Sequence, residues 1–102
     1  MINRKWLIKE FSDGKLKFEG EYLKGEGNGK GKEYDYYGKL LLFEGEYLNG
    51  ERNGKGKEYD LGGKLIFEGE YLNGKKNGKG KEYYSNSNLK FVGEYLNDKK
   101  VD

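Results

Sequence analysis

Apolar and polar residues alternate along four short stretches of the chain. Leu65, Phe67, Gly69 and Tyr71 fall on every second position, with Glu68 and Glu70 between them. The same pattern recurs as Leu16, Phe18, Gly20, Tyr22, as Leu41, Phe43, Gly45, Tyr47, and as Leu89, Phe91, Gly93, Tyr95. A period of two describes a half-buried strand with one apolar and one polar face. The phenylalanines at 18, 43, 67 and 91 are 25, 24 and 24 residues apart. A fixed spacing of that size marks a repeat array, whose units are stabilised mainly by their neighbours.

The strands of the two middle repeats run into Asn-Gly pairs, Asn49-Gly50 with Asn53-Gly54 and Asn73-Gly74 with Asn77-Gly78. Asn and Gly tolerate positive φ, so these pairs predict a tight hairpin and a return strand such as Lys79 to Tyr84. Glycines inside the return strands, Gly56 and Gly80, leave room for a ring from an adjacent strand. The Glu residues of the first strand are expected to oppose the Lys residues of the second across the polar face. Return strands lead to the next repeat through turn-forming residues: Ser12-Asp13-Gly14-Lys15, Asp60-Leu61-Gly62-Gly63 and Ser85-Asn86-Ser87-Asn88.

The predicted fold is all-β: a single elongated antiparallel meander of about eight strands, built from stacked β-hairpin repeats into a solenoid-like curved sheet. At about 4.8 Å per strand it would be roughly 35 Å long. One domain spans 1–102, with an N-terminal half-repeat and cap (1–17), repeats at 18–42, 43–66 and 67–90, and a C-terminal half-repeat (91–102). Lys9-Glu10-Phe11 matches Lys57-Glu58-Tyr59, so Trp6 and Ile8 stand where the repeats carry Gly54 and Gly56. Bulky residues there are expected to cap the first strand. At the other end Asp98, Lys99 and Lys100 are expected to discourage edge pairing.

Composition narrows the chemistry. Leu, Ile, Val and Phe total only 22 of 102 residues, but ten Tyr, five Phe and one Trp supply apolar area and the net charge is just +2. That combination favours a folded chain over a disordered one. Cys, His and Thr are absent, which removes disulfides, thiolate and imidazole chemistry and the usual zinc ligands. Asn-Gly-Lys-Gly-Lys is not a phosphate loop, because the spacing is short and the closing hydroxyl is missing. Glu44 and Glu46 repeat as Glu68 and Glu70 on a wet face, a poor arrangement for one catalytic acid pair. No loop clusters calcium ligands. The N-terminus has no signal-peptide core and no stretch is long and apolar enough to span a membrane, so a cytoplasmic location is the expectation. No catalytic residue, cofactor site or metal site is expected.

The string Phe43-Glu44-Gly45-Glu46-Tyr47 with Asn49, Gly50, Gly54 and Gly56 resembles the membrane occupation and recognition nexus (MORN) repeat, and it recurs in tandem over residues 9 to about 97. The family often has Trp where this chain has Tyr22, Tyr47, Tyr71 and Tyr95. The Gly-Lys-Leu-x-Phe linkers are more similar to the bacterial variant of the repeat, parts of which are named as antitoxin components. The resemblance implies stacked hairpins, a groove lined with rings that receives a helix or extended peptide, and no catalysis by the repeat itself.

Two candidate sites follow. The first is the aromatic ladder Phe18, Tyr22, Phe43, Tyr47, Phe67, Tyr71, Phe91 and Tyr95, read as core or as a partner-binding groove floor. On the second reading, Tyr47 and Tyr71 are replaceable by Ala with loss of binding and an intact fold. The second site is a basic edge of Arg52, Lys55, Lys57, Lys75, Lys76, Lys79 and Lys81, expected to line up along the stacked hairpins. The favoured function is a non-enzymatic protein-interaction module or scaffold. The alternatives are a small standalone inhibitor that occludes a toxin or nuclease, and nucleic-acid or anionic-lipid binding through the basic edge. Glutamates alternate with those lysines throughout, which weighs against the last.

Overall fold

The computed structural model describes residues 5–101. Among these residues the chain forms nine strands: β1 (Trp6–Ser12), β2 (Lys15–Leu23), β3 (Glu26–Tyr34), β4 (Leu41–Leu48), β5 (Glu51–Tyr59), β6 (Leu65–Leu72), β7 (Lys75–Tyr83), β8 (Leu89–Leu96) and β9 (Lys99–Lys100). They make one antiparallel sheet in chain order, each strand paired only with its sequence neighbours, so the sheet stays open. The longest dimension is 43 Å and the thinnest 17 Å. The all-β hairpin meander read from the sequence is therefore the fold. The additional strand is β9. Asn97 and Asp98 adopt φ of 50° and 71°, so the last hairpin closes with Asp98 where the earlier repeats use Gly25, Gly50 and Gly74.

Paired residues of adjacent strands point to the same side, so the register sorts the side chains into two faces. Phe43 opposes Glu58, Gly45 opposes Gly56, and Tyr47 opposes Arg52. This is the ring face. Glu44 opposes Lys57 on the other, charged face. A row of glycines crosses seven strands without interruption: Gly20, Gly31, Gly45, Gly56, Gly69, Gly80 and Gly93. Rings fill the space above that row. A β-carbon at Gly56 would lie 2.5 Å from Cζ of Phe43 and 3.0 Å from Cε1 of Tyr71. The rings expected over Gly56 and Gly80 are in place.

The β2–β3, β4–β5 and β6–β7 hairpins each carry a bulge on the return strand. Gly54 takes φ of 101° there, and a β-carbon on it would meet the Glu46 carboxylate at 2.7 Å. That carboxylate accepts the Lys55 N–H at 2.7 Å. Glu21 and Glu70 accept the N–H groups of Lys30 and Lys79 in the same way, at 2.7 and 2.6 Å. The second glutamate of each Glu-Gly-Glu is thus consumed in satisfying the bulge. Hairpin tips also lock to the preceding repeat. Gly50 donates to the Gly27 carbonyl, Gly74 to that of Arg52 and Asp98 to that of Lys76, each at 2.9 Å.

The N-terminal cap differs from expectation. Trp6 opposes Tyr22 and Ile8 opposes Gly20, the predicted positions. Trp6 nevertheless remains 60% exposed. Among the described residues nothing lies on the outer side of this edge strand for an indole to pack against, so Trp6 does not close the end.

Candidate functional site

All eight ladder residues come together on the ring face in one unbroken chain of contacts. Its order is Tyr22, Phe18, Tyr47, Phe43, Tyr71, Phe67, Tyr95, Phe91. Centroid separations run from 5.1 to 5.9 Å, and every contact except Phe18–Tyr22 is edge-to-face, the geometry that ring quadrupoles favour. Tyr47, Tyr71 and Tyr95 each bridge their own repeat to the preceding one. Phe43 and Phe67 are 0% and 1% exposed, and Tyr47, Tyr71 and Tyr95 are buried. Phe18 and Phe91, at the ends, are only partly buried.

Cations roof the rings. The Arg52 guanidinium lies 3.9 Å from the Phe43 centroid, Lys76 4.0 Å from Phe67 and Lys100 4.5 Å from Phe91. Carboxylates hold them there. Arg52 donates to both oxygens of Glu33, at 2.9 and 3.0 Å, and to Glu58 at 3.2 Å. Lys100 reaches Glu82 at 3.0 Å. The tyrosine hydroxyls complete the network: Tyr47 donates to Glu33, Tyr71 to Glu58 at 2.8 Å and Tyr95 to Glu82 at 2.6 Å. Burial, then the Glu33 bond, pushes the Tyr47 hydroxyl above its ordinary pKa, and Tyr71 and Tyr95 rise for the same kinds of reason. Burial raises the Tyr22 and Tyr34 hydroxyls to about 12, helped by bonds to Glu10 and Glu19. Burial would also lift Glu33, but bonds from Arg52 and Tyr47 and the charge of Arg52 outweigh it and hold that carboxyl below its usual value.

The ladder is consequently the core of a one-layer fold. A ring with no exposed surface offers a partner nothing to touch, and truncating Tyr47 or Tyr71 removes packing and a bonded hydroxyl together. The expectation that these two are dispensable for folding does not fit their burial.

The basic residues do not form one edge, because successive side chains of a strand alternate faces. Arg52 and Lys76 belong to the roof of the ring face. Lys75 sits at a hairpin tip opposite Leu72. Lys55, Lys57, Lys79 and Lys81 lie on the charged face, with Lys9, Lys30 and Lys32, which the sequence reading passed over.

That charged face is a shallow trough. Its floor is the backbone of the glycine row, which has no side chain on this side. Its walls are two rows of side chains running across the strands. One wall reads Lys9, Glu19, Lys32, Glu44, Lys57, Glu68, Lys81, Val92, each residue directly opposite the next. The other pairs Lys30 with Glu46, Lys55 with Glu70 and Lys79 with Glu94. Opposition in register has not produced ion pairs. Among the described residues, the lysines of this face have no carboxylate within 4.0 Å; all four ion pairs are on the ring face. The glutamates are turned elsewhere: Glu19, Glu44 and Glu68 accept the hydroxyls of Tyr34, Tyr59 and Tyr83 at 2.5, 3.1 and 2.7 Å. The signal for these bonds was the Tyr that closes each Gly-Lys-Glu-Tyr.

The sequence model of the family described as MORN repeat matches residues 18–36, 43–60 and 67–89. No curated protein matches the chain.

Proposed function

The chain belongs to the MORN repeat family, whose repeats are protein- or membrane-interaction modules, and from that premise we propose that it works without catalysis, holding a segment of a partner protein in the charged trough. The observation that carries this reading is the set of trough lysines with no carboxylate partner, fixed at regular intervals on a rigid sheet. A preorganised surface loses little entropy when it is bound.

The spacing suggests the shape of the partner. Lys32, Lys57 and Lys81 recur on every second strand, about 10 Å apart at the usual strand separation. Two turns of an α-helix advance about 10.8 Å. A helix lying across the strands with acidic residues every seventh position would meet successive lysines, and its basic residues would face Glu19, Glu44 and Glu68. A phosphate backbone carries charge of one sign only and would meet those glutamates as often as the lysines. Nucleic acid and anionic lipid therefore have less support than a protein.

The test is capture of partner proteins from the native host by the wild-type chain and by a Lys57→Gln/Lys81→Gln variant, which removes both charges without opposing like ones. Both lysines are outside the ring core, so the thermal midpoint should stay unchanged while the captured partner is lost. Capture of the same partner at undiminished yield by the folded variant would place the contact elsewhere.

A further inference from the structure

The two ends of the sheet are built differently. β9 is two residues long, and both are exposed lysines that follow Asp98. A short, charged edge is poorly suited to pairing with another strand. β1 has seven residues, and Trp6, Leu7 and Phe11 in it are 60%, 84% and 61% exposed. Among the described residues, β1 pairs only with β2, so its outer N–H and C=O groups have no partner strand. An edge of this length with large apolar side chains on both faces is a template for strand addition.

We propose that β1 is the interface of a two-fold dimer, in which the strand pairs antiparallel with β1 of a second copy and the two sheets become one. The contrast between the ends selects this arrangement. Head-to-tail growth would seat β1 on the outer side of β8, where β9 already holds Tyr95 and Leu96, so the seven residues of β1 could pair in full only by displacing β9. Self-pairing of β1 uses the same patch on both copies and closes at two.

Charge selects the register. In a two-fold antiparallel pair, one residue sits on the axis opposite itself, and flanking residues oppose each other symmetrically. Three such registers keep five or more β1 residues paired. Centring on Lys9 sets two ammonium groups face to face, and centring on Glu10 does the same with two carboxylates. Directly opposed like charges are destabilising. Centring on Ile8 opposes Ile8 to Ile8, Leu7 to Lys9 and Trp6 to Glu10, with no like charges opposed. Trp6 and Ile8 of both copies then cluster on the ring face, and Leu7 and Phe11 of both copies cluster on the charged face. The exposed apolar surface of the strand is covered on each side. This interface lies at the sheet edge and is separate from the trough, so it stands or falls independently of the trough reading.

Sedimentation of the full chain over a range of concentrations tests it. The expected result is a monomer–dimer equilibrium with no larger species, weakened at least tenfold by Leu7→Lys, which alters an exposed side chain and leaves the circular dichroism spectrum unchanged. The chain has no cysteine, so an Ile8→Cys variant supplies a single reporter. Oxidation should link it into a covalent dimer, whereas Lys99→Cys at the opposite end should form no cross-link. A wild-type chain monomeric at every concentration, or a dimer indifferent to Leu7→Lys, would overturn the proposal. Failure of Ile8→Cys to cross-link would overturn the Ile8-centred pairing.

Discussion

Replacing Phe43 with Ala is expected to lower stability to denaturant by about 3–5 kcal/mol, the range for deleting a buried aromatic ring. Phe43 has no exposed surface and touches Tyr47 and Tyr71 edge-on, with Arg52 stacked above it. The cost should fall near the top of the range, because the cavity has little means of closing. Gly45 and Gly56 lie beneath the ring and have no side chains to relax into the space. A single-layer sheet also has no second layer to settle inward. Phe91→Ala is the internal comparison, since Phe91 occupies the same position in the last, half-covered repeat. Urea titration of the two variants should show a clearly larger loss for Phe43. Equal losses would mean that the ladder is a row of independent surface contacts and not a shared core.

Gly45→Ala is expected to be nearly as damaging for the opposite reason. A β-carbon there would lie 2.6 Å from the Lys55 carbonyl oxygen, 2.7 Å from Cα of Gly56 and 2.8 Å from Cζ of Phe43. Two of these three neighbours are backbone, so a change of rotamer cannot relieve them. Overpacking commonly costs 1–3 kcal/mol, and a clash with a fixed strand should bring the loss to about 3 kcal/mol or more. Gly45 lies in ordinary extended conformation, so the effect reports contact distance and not a φ preference. Gly62→Ala serves as the control, because its β-carbon would meet only a side-chain oxygen of Asp60 at 3.3 Å. Thermal melts of the two variants should separate widely; a Gly45→Ala midpoint close to that of Gly62→Ala would contradict the packing described for the glycine row.

The alternation of Leu, Phe, Gly and Tyr, together with the Asn-Gly turns, makes the meander legible because both signals are local. The rings over Gly56 and Gly80 are legible for a related reason: only a close neighbour explains glycine in mid-strand. The roof of Arg52, Lys76 and Lys100 was hidden. Arg52 is four residues from Gly56 in sequence, and only the bulge at Gly54 sets it opposite Tyr47. Without that shift in register the basic residues look like one edge. The charged face was half visible. The opposition of Glu44 and Lys57 follows from the hairpin, but the loss of their ion pair depends on Tyr59 reaching across to Glu44 on the adjacent strand. Alignment of Trp6 with Gly54 predicts a cap that the edge does not form. Alignment gives the position of a side chain, but not whether another strand lies beyond it.

The central claim is that the ladder tyrosines are interior and hydrogen-bonded, and alkaline titration of the native chain tests it most directly. Tyr47, Tyr71 and Tyr95 have folded pKa values raised above the usual 10, and Tyr22 and Tyr34 are raised to about 12. A raised folded value means that these hydroxyls contribute stability that is fully present below pH 10 and is lost as pH climbs through the folded values. Tyrosinate absorbance and far-ultraviolet circular dichroism should be followed on one sample from neutral pH upward. The ladder tyrosines are expected to keep their protons beyond pH 10 and to ionise only as the sheet signal collapses. Ionisation of all ten tyrosines near pH 10 with the sheet spectrum intact would contradict it.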